Sequence, residues 1–134
     1  MPTNLPANLA KRVIGYAHVA MDTQAQDDRS VERQKRAIHA YCEDHDLILV
    51  DLYMDVGKDR AGRQKALAML KSRSARALVL TTLDRLTRSW SEMVVLCAEY
   101  FGPGESELIS ICDAVGTRTG GLGADLARLL ARAP

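Results

Sequence analysis

The chain has 134 residues, 47% hydrophobic, 26% charged and 4% aromatic, the make-up of one globular domain and not of a disordered or fibrous chain. Lys and Arg number 18 against 17 Asp and Glu, a formal net charge of +1, so no overall basic excess announces a nucleic-acid partner. The average hides a bias, because residues 1–55 carry −3, residues 56–90 carry +7 and residues 91–134 carry −3, which offers a polyanion one basic segment if its charges gather on one surface.

Residues 1–12, with Pro2, Asn4, Pro6 and Asn8 and no apolar stretch of signal-peptide type, read as a flexible tail, and residues 13–134 as the domain. Residues 13–19 form the first apolar, β-prone run. Helical spacing follows from Ser30 to about His45, with Val31, Gln34, Ile38, Tyr41 and His45 on one stripe and Arg33, Arg36, Glu43 and Asp44 opposite. A second strand is expected at 47–53 and a second helix at 64–71, the latter with Ala66, Leu67, Met69 and Leu70 inward. After a third strand at 77–82, the capping pattern Ser89-Trp90-Ser91-Glu92 opens a helix through Met93, Val94, Leu96, Cys97 and Tyr100. It stops at Gly102-Pro103-Gly104. A fourth strand at 107–112 precedes a last helix that follows Gly120, Gly121 and Gly123 and carries Leu122, Leu126, Leu129 and Leu130.

Alternating near-continuous strands and amphipathic helices argue for an α/β fold, a mainly parallel sheet of about four strands with helices on both faces. Ligands of such sheets sit at the carboxyl ends of the strands, here residues 18–22, 54–63, 82–88 and 113–123. Cys42, Cys97 and Cys112 lie far apart without a CxxC pair, so neither a disulfide framework nor a metal site is expected, and a cytoplasmic location fits best. No run approaches the roughly 20 apolar residues that cross a bilayer. No Walker-type GxxxxGK[ST] and no strand-linked GxGxxG occurs, which disfavours a nucleotide binder.

The strongest local signal is Leu83-Asp84-Arg85-Leu86-Thr87-Arg88-Ser89. Arg85 and Arg88, three residues apart in a turn, project from one side, where two guanidinium forks can grip a phosphate, and Asp84 can orient either of them. A solvated charged turn with an incidental Asp–Arg pair fits the spacing equally well.

Together with Val13-Ile14-Gly15-Tyr16-Ala17-His18-Val19-Ala20 and Ser30-Val31-Glu32-Arg33-Gln34, that segment resembles the catalytic domain of the serine recombinases, the resolvase and invertase family, from residue 13 to about 132. The family's first strand typically reads Y-x-R-V-S, its helix start S-L-E-x-Q and its third-strand exit K-L-D-R-L-S-R. The spacing from Ala20 to Gln34 is similar to that of the large serine recombinases.

The resemblance implies a resolvase-like fold and attack by a serine hydroxyl on a DNA phosphodiester, with arginines stabilising the transition state and no cofactor or metal. Residue by residue, it implies catalytic roles for Arg85, Arg88 and their neighbour Asp84, for Gln34 of the first helix, and for Asp55 after the second strand. Arg63 is taken as the arginine preceding the second helix, because Leu70 falls at the expected place seven residues later.

Two departures decide the expectation. Ala20 stands where the family has its nucleophile and His18 where it has a phosphate-binding arginine. A methyl group cannot attack phosphorus, and loss of a serine nucleophile costs a protease about 10⁶ in rate. Thr23 and Ser30 carry the nearest hydroxyls in sequence, but three residues of chain displace Thr23 from the strand end by several ångströms, roughly 3.3 Å per residue. His18 is expected as a neutral strand-end side chain satisfied by a hydrogen bond. The loop at 57–63 is shorter than the family's, and Thr82 replaces its lysine. The last helix would reach only about 18 Å at the helical rise, so no DNA-binding domain is expected to follow.

The sequence therefore reads as a truncated, degenerate recombinase-type domain, catalytically inactive, keeping weak, non-specific DNA-phosphate contact through Arg63, Arg85 and Arg88. The alternative is a non-enzymatic dimerisation or regulatory module that pairs with itself or with an intact recombinase through Leu122, Leu126, Leu129 and Leu130.

Overall fold

Val13, Ile14, Tyr16 and Ala17 are fully buried along β1 (Arg12–Val19), as befits a strand covered on both faces. In the computed structural model, which describes residues 8–20, 31–102, 105–112 and 115–116, the chain continues through α1 (Val31–Asp44), β2 (Ile48–Val56), α2 (Ala61–Lys71), β3 (Ala77–Leu80), α3 (Trp90–Tyr100), β4 (Glu107–Ser110) and β5 (Val115–Gly116). Short 3₁₀ turns occupy Leu9–Lys11 and Leu83–Arg85.

The sheet order is β2-β1-β3-β4-β5, parallel from β2 to β4. The chain steps outward from β1 to β2 and then returns to the other side of β1 for β3, so the strand order reverses between β1 and β3. That is the position at which open α/β sheets hold their ligands. On one face Ile14, Tyr16, Leu78, Leu80 and Leu108 pack with Leu67 and Leu70 of α2 and Met93 and Leu96 of α3; on the other, Val13, Val79 and Ile109 pack with Ile38 and Cys42 of α1. Gly15 permits the α1 side to close, since a Cβ there would come within 3.0 Å of both Ile38 Cγ2 and Leu52 Cγ.

The expected α/β order holds, with instructive differences. β2 runs to Val56, past the end of the apolar run, because Met54, Asp55 and Val56 stay in register with Ala17, His18 and Val19 of β1. Asp55 is thus inside the strand and not after it. α2 begins at Ala61, three residues early, because the Asp55 carboxylate accepts the N–H groups of Gly62 and Arg63 at 2.7 and 2.8 Å. Asp59 Oδ1 adds a local acceptor for the Ala61 N–H at 3.0 Å, so the start of α2 combines a cap from β2 with one visible in the sequence.

On α1 Gln34, Ile38 and Cys42 are buried, and Tyr41 of the expected stripe packs half-buried against the same cluster. His45 lies past the end of the helix, stacked on the Tyr41 ring. Val94 of α3 faces outward at 50% exposure. α3 opens as its pattern indicated, with Ser89 Oγ accepting the N–H of Glu92 at 3.2 Å. β5 is an addition, a two-residue antiparallel partner of β4. The expected last helix with its leucine stripe, the first seven residues of the expected tail, and Thr23 and Ser30 lie outside the described residues.

Candidate functional site

Strand alternation puts Tyr16 and His18 on the same side of β1, and Ala20 follows, exposed, just past the strand's end. Tyr16 Oη donates to Asp55 Oδ2 at 2.6 Å, and Arg60 Nη1 donates both to Tyr16 Oη at 2.9 Å and to the Arg85 carbonyl at 2.8 Å. Burial, reinforced by the Asp55 carboxylate, pushes the Tyr16 phenol well above its ordinary range and keeps it protonated. The chain Asp55–Tyr16–Arg60–Arg85 thereby ties β1, β2, the start of α2 and the 83–85 turn into one polar unit.

His18 is 8% exposed. Its Nε2 lies 2.8 Å from the Gly57 carbonyl, which can only accept, so Nε2 carries the proton. Burial is the main cause that lowers the His18 pKa below 6.5, with the nearby Arg60 and Arg85 charges adding to it. The ring is neutral at neutral pH. Gly57 turns at φ +75°, a left-handed conformation suited to glycine, and its N–H bonds the Val19 carbonyl at 2.9 Å.

β3 pairs with β1 only from Val13 to Gly15. Beyond that point Gln34 takes over, its Oε1 accepting the His18 N–H and its Nε2 donating to the His18 carbonyl, both at 2.9 Å. The amide mimics a strand neighbour and sets the height of the β1 exit. Arg85 Nη1 adds a 3.1 Å bond to the same carbonyl, while its buried Nε has no partner among the described residues.

The structure brings His18, Gln34, Asp55 and Arg85 together, with Ala20 beside them. It does not bring Arg63. That side chain, 8% exposed, reaches the other way, donating to the Leu86 carbonyl at 2.8 Å and pairing with Glu92 at 3.3 Å. Thr87 Oγ1 donates to the same carboxylate, and with Arg63 it holds the Glu92 pKa below its ordinary value. Arg63 also sits within the first turn of α2, not ahead of it. The residue ahead of the helix, at its N-cap, is Arg60.

Arg60 and Tyr16 are the members that sequence reasoning missed. Tyr16 had a signal as the first letter of the Y-x-R-V-S match; Arg60 had only its place before a helix whose start was set three residues late. Asp84 is exposed and accepts from Thr82 Oγ1. Among the described residues no ion pair joins it to Arg85 or Arg88. Arg88 is exposed beside the start of α3.

The site thus presents guanidinium donors around the exit of β1, with a methyl group at Ala20. Among the described residues no cluster of His, Cys, Asp or Glu is placed to hold a metal ion. Nor, among them, is any helix long and apolar enough to cross a membrane.

A family profile described as the resolvase N-terminal domain matches residues 13–132. The chain belongs to the resolvase family. Solved structures share the fold of this resolvase-family domain. The N-terminal catalytic domain of TP901-1 integrase is 24% identical with a TM-score of 0.79, the match covering 90% of this chain and 93% of that one. A resolvase family site-specific recombinase from Streptococcus pneumoniae is 21% identical, with a TM-score of 0.69 and 90% and 85% coverage. The C-terminal catalytic domain of ISC1926 TnpA, an IS607-like serine recombinase, is 24% identical with a TM-score of 0.62, covering 89% and 79%. No curated protein sequence matches the chain.

Proposed function

We propose that this resolvase-family domain contacts DNA through its phosphates but does not break strands. What supports the reading is the β1 exit, taken with the motif resemblance that sets Ala20 against the family's serine and His18 against its arginine. Ala20 offers only a methyl group there, and the His18 ring is turned into the protein against the Gly57 carbonyl.

No hydroxyl at Ala20 means no P–O bond to form there, and a neutral, buried imidazole supplies no positive charge to a phosphate. The remaining donors support contact without chemistry. Arg85 is anchored by the His18 and Arg60 bonds and half-buried, and Arg88 is exposed at the surface. These two side chains carry the proposed phosphate contact. Arg63, locked onto Glu92, acts at one remove by fastening α2 to the start of α3. With two arginines and no base-reading element assigned, binding is weak, salt-sensitive and indifferent to sequence, at micromolar affinity or weaker.

The test incubates the native chain and an Ala20→Ser, His18→Arg version with supercoiled DNA, and looks for a detergent-resistant protein–DNA adduct. No adduct is expected from the native chain. An adduct from it overturns the reading and returns Thr23 and Ser30 as candidate nucleophiles.

A further inference from the structure

Trp90, the chain's one tryptophan, stands 42% exposed at the first position of α3, directly after Arg88 and Ser89. It walls a pocket of about 440 Å³ whose lining also includes Leu83, Met93, Asp84, Ser89 and Arg88. That volume falls within the roughly 300–1,000 Å³ of small-molecule sites. Leu83 and Met93 are buried and give the pocket an apolar floor, whereas Asp84 and Arg88 are exposed at its edge. We infer that this pocket receives an unstacked nucleobase, lying on the Trp90 indole, from a DNA strand whose adjoining phosphate rests on Arg88.

Three features select that occupant. A broad aromatic face over an apolar floor matches the π-face that every base presents. The Asp84 carboxylate at the edge accepts N–H groups of the kind that cytosine, adenine and guanine carry. Arg88 at the edge, in the segment of net charge +7, supplies the opposite charge that the backbone requires. A base stacked in a duplex cannot enter, so the pocket selects single-stranded or locally opened DNA.

The inference rests on the proposed phosphate contact, and abasic strands separate the two. Because Trp90 is the one tryptophan, its emission reports on the pocket directly. The full chain is titrated at low salt with a mixed-sequence single-stranded oligonucleotide and with an abasic strand of equal length, binding being followed independently by anisotropy of an end label. The base-bearing strand is expected to quench Trp90 and the abasic strand to bind without quenching. Trp90→Ala is expected to weaken binding of the base-bearing strand about tenfold and leave the abasic strand unchanged, and Trp90→Phe, which keeps an aromatic face, to restore most of the loss.

Equal affinity for both strands with unchanged emission overturns the base pocket and leaves the phosphate contact standing. No binding of either strand overturns both. A dimer seen by light scattering that Trp90→Ala dissolves, without any quenching by DNA, overturns the pocket in favour of a second copy seated on α3. Circular dichroism of the half-exposed variants confirms that the fold is kept.

Discussion

Two polar regions of this molecule lie within a few residues of each other and behave in opposite ways. Around Asp55, each polar side chain is occupied by a partner from another element: Tyr16 from β1, Arg60 and two backbone N–H groups from the start of α2. Along 84–90, Asp84, Arg88, Ser89 and Trp90 are exposed. The first region is a joint and the second a surface. An arginine's chemical type does not tell which region it serves, as Arg63 and Arg88 show: one is locked onto Glu92 inside the fold, the other faces solvent.

The difference is measurable. Asp55→Ala removes one acceptor from three buried donors, each costing about 1–3 kcal/mol when left unpaired, so a loss of several kcal/mol is expected in the urea denaturation midpoint. A variant as stable as the native chain would show that water replaces the carboxylate and that the joint is no joint.

Arg63→Ala strands the Leu86 carbonyl and the partly exposed Glu92, and about 1–2 kcal/mol of stability is expected to go, with DNA affinity little altered. An affinity loss without a stability loss would instead place Arg63 on the phosphate.

A smaller effect is expected from pH. The folded state holds His18 below its ordinary 6.5, so the unfolded chain binds more protons between that value and the folded pKa. Stability from this group is therefore present above pH 6.5 and is lost as pH falls through the folded pKa. A His18→Gln variant should show a flatter stability profile just below pH 6.5. Glu92, also lowered, loses its contribution in a more acid window, below its ordinary 4.5. An unchanged profile in the variant would mean that His18 is charged or solvated in the fold.

Arg88→Ala should leave stability within about 0.5 kcal/mol, as for an ordinary surface site. Its effect belongs to binding, where the slope of log affinity against log salt should fall by about one. A destabilised Arg88→Ala would move this residue from the surface into the joint.

Much of the scaffold was legible before any coordinates. Apolar runs of strand length alternate with helical spacing, and burial on both faces demands that pattern. Ser89 and Glu92 announced the α3 start because that cap is local, reaching only three residues. Gln34 and Asp55 were named through the resemblance to serine recombinases, as were Ala20 and His18, whereas Tyr16 was passed over although its motif letter was there. Element ends and partner choice were not: β2 carried on past its apolar run because β1 was there to pair with it, and Cys42 joined Ile38 in the core beside the half-buried Tyr41 while His45 fell past the end of α1.

Arg60 and Arg63 mark where local information stops. Residue types and spacing settled that a basic segment follows the second strand and that an arginine stands ahead of the second helix, since these are properties of neighbours along the chain. Which arginine it is depended on where the helix begins, and the carboxylates of Asp55, at the end of the preceding strand, and Asp59 hold that beginning. The same folding turned Arg63 inward onto Glu92 and left Arg88 outside. A chain's +7 segment is a sum over residues, whereas a binding surface is the part of that charge that finds no partner within the fold, and partners are assigned only when distant segments meet.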